Sequence, residues 1–326
     1  VAVTLSVVIP IFNEAANLGE LQRRLMESLA SLPEGVEGGR VIYVDDGSTD
    51  ASAAMLHAQA QADPRVSVVS LSRNFGHQAA ITAGLAASDT DAVVIMDGDL
   101  QDPPEVIPAL VARWRQGAVV VRAVRRTRQE TGVRRLGFRA FHAAFGWISD
   151  LPMSGDVGVF SLLDRRAVDE VLRLPERNRF LPGLRTWIGF EQHTVVYDRH
   201  ARASGAPKQS LSRLIRYGFD AIFSFSYKPL RVMVTMGAVV SGVGFVLALV
   251  YVFKRLSGIE TAQTGFTTLV TLVLFLGGIQ LMALGLLGEY LGRIYDEVKN
   301  RPLYVVRDHF RRGRPGPPDH ERSRDE

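Results

Sequence analysis

The chain has 326 residues, enough for one large domain or two ordinary ones. It contains no Cys, which excludes a disulfide framework and any Cys-based zinc site. Lys and Arg outnumber Asp and Glu by 38 to 34, and the excess is concentrated between Arg122 and Arg139 and again after Arg293. Such a cluster is either a solvated face or an anion-binding surface, and composition alone does not choose between them.

The first ten residues read as a strand opening a domain, not as a signal peptide. The strand proper is Ser6-Val7-Val8-Ile9, and residues 15–32 follow with helical spacing. Val41-Ile42-Tyr43-Val44 is the second strand and 51–62 the second helical stretch. Val66-Ser67-Val68-Val69 and 77–87 repeat the pattern, as do Ala92-Val93-Val94-Ile95-Met96 and 105–115. Strands alternating with helices mean βαβ units and a mostly parallel sheet, an α/β fold. Strands that are apolar throughout fit a sheet covered on both faces. Such sheets bind ligands at the carboxyl ends of their strands.

Four polar segments fall at those ends: Pro10-Ile11-Phe12-Asn13-Glu14, Asp45-Asp46-Gly47-Ser48-Thr49-Asp50, Ser72-Arg73-Asn74-Phe75-Gly76-His77 and Asp97-Gly98-Asp99-Leu100-Gln101-Asp102. Any one is an ordinary turn with a helix cap, for which Ser48 or Asp50 would serve, while His77 either caps the following helix or touches the site. Together they place acids, amides and an Arg on one rim. Residues i and i+2 of an extended chain point the same way, so Asp97 and Asp99 suit a shared hard cation, with the Gln101 amide oxygen as a further ligand. Carboxylate-held Mg²⁺ or Mn²⁺ usually serves substrate phosphates. The chain has no GxGxxG and no GxxxxGK, so dinucleotide and P-loop readings lose their support.

The second half changes character. Residues 136–148 carry Phe138, Phe141, Phe145 and Trp147 and suggest a membrane-facing helix. Residues 211–227 repeat Leu211, Leu214, Ile215, Phe219, Ile222 and Phe223 at helical spacing, as an interfacial helix would. No residue is charged over 232–253 or over 261–288, and each run is long enough to cross a bilayer. The short link between them makes the pair a membrane hairpin. Lys208, Arg213, Arg216, Lys228 and Arg231 precede it and Arg293, Lys299, Arg301 and Arg307 follow, against Lys254 and Arg255 in the link. The positive-inside rule then puts both flanks in the cytoplasm. Glu289 is expected at the interface, bonded to a neighbour. The stretch after Gly313 reads as disordered.

At this point the motifs resemble a known family. Val8-Ile9-Pro10-Ile11-Phe12-Asn13-Glu14, Val44-Asp45-Asp46-Gly47-Ser48-Thr49-Asp50, Leu71-Ser72-Arg73-Asn74-Phe75-Gly76-His77-Gln78 and Asp97-Gly98-Asp99-Leu100-Gln101-Asp102-Pro103-Pro104 resemble the inverting family 2 glycosyltransferases of GT-A fold. Within them the chain is most similar to the polyprenyl-phosphate enzymes: dolichol-phosphate mannose synthase, the bactoprenol glucosyltransferases and the undecaprenyl-phosphate aminoarabinose transferase. Gly285-Leu286-Leu287-Gly288-Glu289-Tyr290-Leu291-Gly292-Arg293-Ile294-Tyr295 resembles the end of the second span in the bacterial members. The resemblance implies a Rossmann-like, mostly parallel catalytic domain over 1–208 and an amphipathic helix over 209–228. Spans follow over 229–253 and 265–291, joined by a short outer loop over 254–264, with a cytoplasmic tail over 292–326.

It also implies roles. Pro10, Phe12, Glu14, Asp45 and Asp46 would line the base and ribose pocket, with Phe12 standing where most relatives have Tyr. Asp97 would face the ribose or the metal, and Asp99 and Gln101 would hold Mg²⁺ or Mn²⁺. Arg125 and Arg134 look like the family's pair that meets the diphosphate and the lipid phosphate, with Arg135 beside them. Lys208 looks like the basic residue of the GxSK segment, here Gly205-Ala206-Pro207-Lys208 with Pro in place of Ser. Asp156 aligns with a site-facing acid, read either as base and acceptor-orienting group or as a turn carboxylate capping amides beside Gly155.

The implied reaction moves a sugar from a nucleotide diphosphate, UDP favoured, to undecaprenyl phosphate at the cytoplasmic face of a bacterial inner membrane. The expected partners are the nucleotide sugar, the polyprenyl phosphate, the membrane and copies of the chain itself, with no nucleic acid. A homo-oligomer, tetrameric by resemblance, would use 301–306 as an exchanged strand. Two alternatives stay open: a processive polysaccharide synthase, which would carry a QxxRW motif absent here, and a non-catalytic membrane scaffold or translocase partner.

Overall fold

The first strand decides the architecture. A computed structural model of the chain describes residues 3–125, 158–197, 228–257, 265–311 and 314–315. In it β1 (Val3–Ile11) is buried from Leu5 onward. Successive side chains of a strand point to opposite faces. Leu5, Val7, Ile9 and Ile11 accordingly join a core with Leu18, Leu21 and Leu25 of α1 (Ala15–Ala30). Val8 joins a second core with Ala80, Ile81 and Leu85 of α3 (His77–Ala86). A sheet with apolar side chains on both faces needs helices on both, which explains the unbroken apolar runs.

Next to β1 lie β2 (Val36–Asp45) and β4 (Ala92–Ile95), both parallel to it. Outside β2 lies β3 (Val66–Leu71), also parallel. The helices between them are α2 (Ser52–Ala62), α3 and, after a 3₁₀ turn at Pro104–Val106, α4 (Ile107–Arg115). Gly84 lets α3 lie close on the sheet, since a Cβ there would collide with the Val8 side chain. The four strands and four helices expected in this half are all present.

The rest of the sheet was not read from the sequence. β5 (Val120–Arg125), β6 (Ser161–Asp164) and β7 (Gln192–Tyr197) extend it beyond β4. β8 (Val306–Arg311) and β9 (Arg314–Pro315) extend it beyond β3. Among the described residues the order is β7-β5-β6-β4-β1-β2-β3-β8-β9. β6 runs antiparallel to both β4 and β5, and β8 runs antiparallel to β3. Of the segment 301–306, expected as an exchanged strand, only Val306 is in strand, at the start of β8, which pairs with β3 in this single chain. The chain leaves β1 toward β2 on one side and returns to β4 on the other. The crevice at the carboxyl ends of β1 and β4 is thus the switch point where ligands bind.

Two short helices, α5 (Arg165–Arg173) and α6 (Leu181–Trp187), cover the β4–β6 side. Two long ones, α7 (Lys228–Leu256) and α8 (Phe266–Val298), follow. Each contains a stretch long and apolar enough to cross a membrane, over 230–247 and 275–298, and neither stretch is buried in the protein. Glu289 pairs with Arg293 one turn on at 3.0 Å, the neighbour bond expected of it. The foot of α8 touches the catalytic part, where the Arg177 amide donates to Glu297 at 2.8 Å. The interfacial helices expected over 136–148 and 211–227, and the tail beyond 315, lie outside the described residues.

Candidate active site

The rim is built from the polar segments that end β1 to β4, and hydrogen bonds sew them together. Asn13 carries a left-handed backbone, φ 55°, just past β1. Its backbone N–H donates to Ser48 Oγ at 3.1 Å. Its side-chain oxygen accepts from the Thr49 amide at 2.8 Å and the Asp50 amide at 3.3 Å. Glu14 N–H donates to Ser52 Oγ at 3.0 Å, and the Glu14 carboxylate accepts from Asn17 at 2.6 Å. Asn and Asp suit this work because their short polar chains bond nearby backbone and tolerate left-handed conformations.

Asp45 and Asp46 end β2 and split in function. Asp45 is fully buried; its Oδ1 accepts from the Ser48 amide at 2.9 Å, while Oδ2 has no hydrogen-bond partner among the described residues. Asp46 accepts from the Phe75 amide at 2.7 Å and the Gly76 amide at 2.9 Å, so it fastens the segment after β3 to the segment after β2. Burial pushes the Asp46 carboxyl above its usual range, more than the two amides pull it down. Gly47 sits where these segments touch: its φ is +70°, and a Cβ there would lie 2.6 Å from the Arg73 carbonyl carbon. Pro10 lies buried in β1, whereas Phe12 is 43% exposed, a flat apolar face open at the rim.

β4 ends in the acid-rich turn. Gly98 brings it against β1, since a Cβ there would collide with the Ile11 side chain. Leu100 adopts φ 59° yet is buried, and the turn curls so that Gln101 returns to Asp99. The Gln101 amide N–H donates to Asp99 Oδ1 at 3.1 Å, and its side-chain NH₂ donates to Asp99 Oδ2. A Gln side chain that donates through nitrogen keeps its carbonyl oxygen as an acceptor, the atom a hard cation needs. Among the described residues no three His, Asp or Glu side chains are grouped to hold a metal by themselves. Asp99 with Gln101 still fits Mg²⁺ or Mn²⁺, because such ions bind through one or two carboxylates and take their other ligands from water and substrate phosphates.

Asp97 meets His77, which the sequence left between a helix cap and a site contact. His77 Nε2 lies 2.7 Å from Asp97 Oδ1, while the N-cap position of α3 is Gly76, with no side-chain cap. Burial acts to lower the His77 pKa, but the bond to Asp97 and the charges of Asp97, Asp46 and Asp99 outweigh it and raise it. The same charges show that the second, third and fourth polar segments share one electrostatic space.

Arg125, the last residue of β5, enters from the far side. Its Nε–H donates to Tyr197 Oη at 3.0 Å and its Nη2 to Asp102 Oδ1 at 2.9 Å. Tyr197 Oη–H donates to the same Asp102 oxygen at 2.6 Å. The guanidinium thus lies on the rim beside the acidic turn. Sequence reasoning missed Asn13, Asp102 and Tyr197, and favoured the cap over the site for His77. Asn13 and Asp102 stood inside quoted motifs without a role; nothing marked Tyr197. Pro10, Phe12, Glu14, Asp45, Asp46, Asp97, Asp99, Gln101 and Arg125 all sit at the carboxyl ends of strands. Arg134, Arg135, Asp156 and Lys208 lie outside the described residues.

Residues 6–172 match the family model "Glycosyl transferase family 2", and 228–294 match "GtrB C-terminal hairpin". The chain is 39% identical over 306 residues to the uncharacterized glycosyltransferase YkcC of Bacillus subtilis, covering 94% of each chain. It is 38% identical over 308 residues to the bactoprenol glucosyl transferase of Shigella phage SfII, covering 94% of this chain and 98% of that one. Among solved structures it is similar to glucosyl-3-phosphoglycerate synthase from Mycobacterium tuberculosis, crystallised with Mn²⁺, UDP and glucosyl-3-phosphoglycerate. That likeness has a TM-score of 0.43 at 22% identity and covers 68% of this chain and 78% of the other. With a family 2 match over half its length and relatives this similar from end to end, the chain belongs to the family 2 glycosyltransferases of GT-A fold that carry a GtrB-type C-terminal helix pair.

Proposed function

We propose that this glycosyltransferase moves a sugar, with inversion, from a nucleotide diphosphate sugar to a polyprenyl phosphate at the cytoplasmic face of a bacterial inner membrane. UDP-glucose is the favoured donor and undecaprenyl phosphate the favoured acceptor. The observation that carries this reading is the pairing, in one chain, of the Asp97–Asp99–Gln101 rim with two exposed apolar helices. Relatives named bactoprenol glucosyl transferase share both halves at 38% identity.

The division of labour follows from the chemistry. Phe12 stacks on the base, and Pro10, Glu14, Asp45 and Asp46 line the nucleoside pocket, with the unpaired Asp45 oxygen as its buried acceptor. Asp97 faces the ribose, and Asp99 and Gln101 hold Mg²⁺ or Mn²⁺. When bound, that ion neutralises charge developing on the nucleoside diphosphate leaving group. Arg125 offers the same phosphates a planar donor fork. The acceptor is a phosphate monoester with a second pKa of about 6, already largely ionised near neutrality. It needs positioning against like charge more than it needs a base. Arg134, Arg135 and Lys208 supply that positioning, and Asp156 orients the acceptor.

Residues 1–208 form the catalytic domain in this reading and 209–228 lie on the membrane. Residues 229–253 and 265–291 span it, 254–264 face outward, and 292–326 return to the cytoplasm. A homo-tetramer is part of the proposal, measurable by light scattering in detergent. The deciding experiment incubates the purified chain with Mn²⁺, undecaprenyl phosphate and a panel of nucleotide sugars, with lipid products identified by mass spectrometry. A single hexose on undecaprenyl phosphate, formed with release of UDP, is the expected result. A growing polysaccharide would point to the synthase alternative, and no nucleotide release from any donor to the scaffold.

A further inference from the structure

The sequence motif that names the metal turn continues one residue past it, to Asp102, and the reaction as proposed gives that residue nothing to do. Its side chain is 2% exposed. A buried carboxylate is costly unless it is paired and hydrogen-bonded. Here it has two partners from distant parts of the chain: the Arg125 guanidinium at 2.9 Å and the Tyr197 hydroxyl at 2.6 Å, both on Oδ1. Tyr197 Oη in turn accepts from Arg125 Nε at 3.0 Å, closing a ring of three bonds among three side chains.

The backbone fixes this ring. Arg125 and Tyr197 are register partners at the ends of the parallel strands β5 and β7. The Tyr197 ring is buried and packs edge-on against Phe160, with centroids 5.8 Å apart. Asp102 arrives from the turn after β4, just before Pro103 and Pro104 stiffen the entry to α4. The Arg125 side chain remains 37% exposed, so its inner edge is held while the group stands at the rim. Burial and the Asp97 charge push the Asp102 carboxyl up, and the bonds from Tyr197 and Arg125 pull it back.

We propose that Asp102 and Tyr197 are positioning residues for Arg125, locking the plane of its guanidinium so that it meets the nucleotide's diphosphate as a preformed fork. This rests on the assignment of Arg125 to the diphosphate made above. An unrestrained Arg loses its rotamer freedom when it binds, and a planar donor recognises phosphate only when correctly turned. The ring removes that loss in advance. It also binds the acidic turn to the arginine, so the metal-holding and phosphate-holding parts of the rim keep a fixed separation.

The test uses the full chain in detergent and titrates UDP and UMP separately in the presence of Mn²⁺. Tyr197→Phe deletes one oxygen, and Asp102→Asn keeps the shape while removing the charge. Each is expected to weaken UDP binding about five-fold, the worth of a hydrogen bond, and to leave UMP binding unchanged. Arg125→Gln is expected to weaken UDP by about ten-fold or more. Tyr197→Phe added to it should cost nothing further, since there is no fork left to hold. Equal losses for UDP and UMP, or the same five-fold loss in the Arg125→Gln background, would overturn the proposal by showing a merely structural role. Full UDP affinity in Tyr197→Phe alongside a weakened Arg125→Gln overturns the positioning role alone. Full affinity in Arg125→Gln overturns the diphosphate assignment and the positioning role with it.

Discussion

The two ends of the sheet use the same residue type to opposite effect. At the amino ends, Asp91 accepts from the Thr4 amide and the Thr4 hydroxyl, both at 2.8 Å. Asp164 accepts from the Arg166 amide, the Arg166 guanidinium and the Trp114 indole. Both carboxyls sit below the usual range. The Thr4 amide does most for Asp91, while at Asp164 the bonds from Arg166 and Trp114 outweigh a contrary push from burial. At the carboxyl ends, Asp46 and Asp102 sit above the usual range, burial being the largest cause for each. Carboxylates at the amino ends are satisfied by the fold itself. Asp46 and Asp102 are buried beside other acids of the rim, an arrangement that gains most when cations and donors arrive with a ligand.

The sharpest way to break this comparison is to remove a rim acid and find catalysis intact. Asp99→Ala is expected to lower kcat on the order of 10³-fold, the scale of losing a charge-stabilising group in the site. Its melting temperature should hold within a degree or two, since Asp99 is only partly buried and accepts from Gln101 in its own turn. A large loss of stability with modest loss of rate would make the rim acids structural like those at the other end.

The rim also depends on backbone that only glycine tolerates. Gly47→Ala combines a left-handed φ with a Cβ driven into the Arg73 backbone. The conformational part alone costs about 1–2 kcal/mol and the collision adds to it, for roughly 3 kcal/mol in all. Thermal melts would register this, and nucleotide affinity should fall with it, because the segments after β2 and β3 can no longer close. Asn13→Ala is milder. It strips the shared acceptor of the Thr49 and Asp50 amides, for about 1–2 kcal/mol. Steady-state kinetics should show a raised KM for the nucleotide sugar and an unchanged kcat, marking Asn13 as scaffold for the pocket.

The sequence made the first half legible because each of its strands is a continuous apolar run followed by a polar turn, so both the sheet and its functional end showed. β6 is a four-residue strand, Ser161–Asp164, whose pairing with β4 and β5 is antiparallel and long-range; nothing local announces it. Val306–Arg311 is mostly polar, with only Val306 and Phe310 apolar, and reads as tail until β3 is seen to need an edge partner. The site divides the same way. Asp97, Asp99 and Gln101 lie within five residues and can be read together. Asp102 and Tyr197 are 95 residues apart and become a pair only through the β5–β7 register. His77 is placed toward Asp97 by the turn that starts α3, where Gly76 at φ 98° takes the cap position that the His was expected to fill.

The smallest expected effect tests the satisfied end. Asp164→Ala removes the N-cap of α5 and the Trp114 bond, for about 1 kcal/mol at neutral pH. The pH dependence carries the argument further. A carboxyl held below its unfolded value of about 3.9 contributes stability above that value and loses it as pH falls through the folded value. Wild type should therefore weaken over that acid window, and Asp164→Ala should weaken less, so that the two converge below it. Asp46 has the opposite sign: with its carboxyl held above the unfolded value, its contribution falls as pH rises from that value through the folded one. Stability followed by thermal melts from neutral pH into acid should thus show a limb that Asp164→Ala flattens while turnover at neutral pH is unchanged. If instead turnover fell with the cap, the amino end would be coupled to the rim and the division of the sheet into a satisfied and a crowded end would not hold.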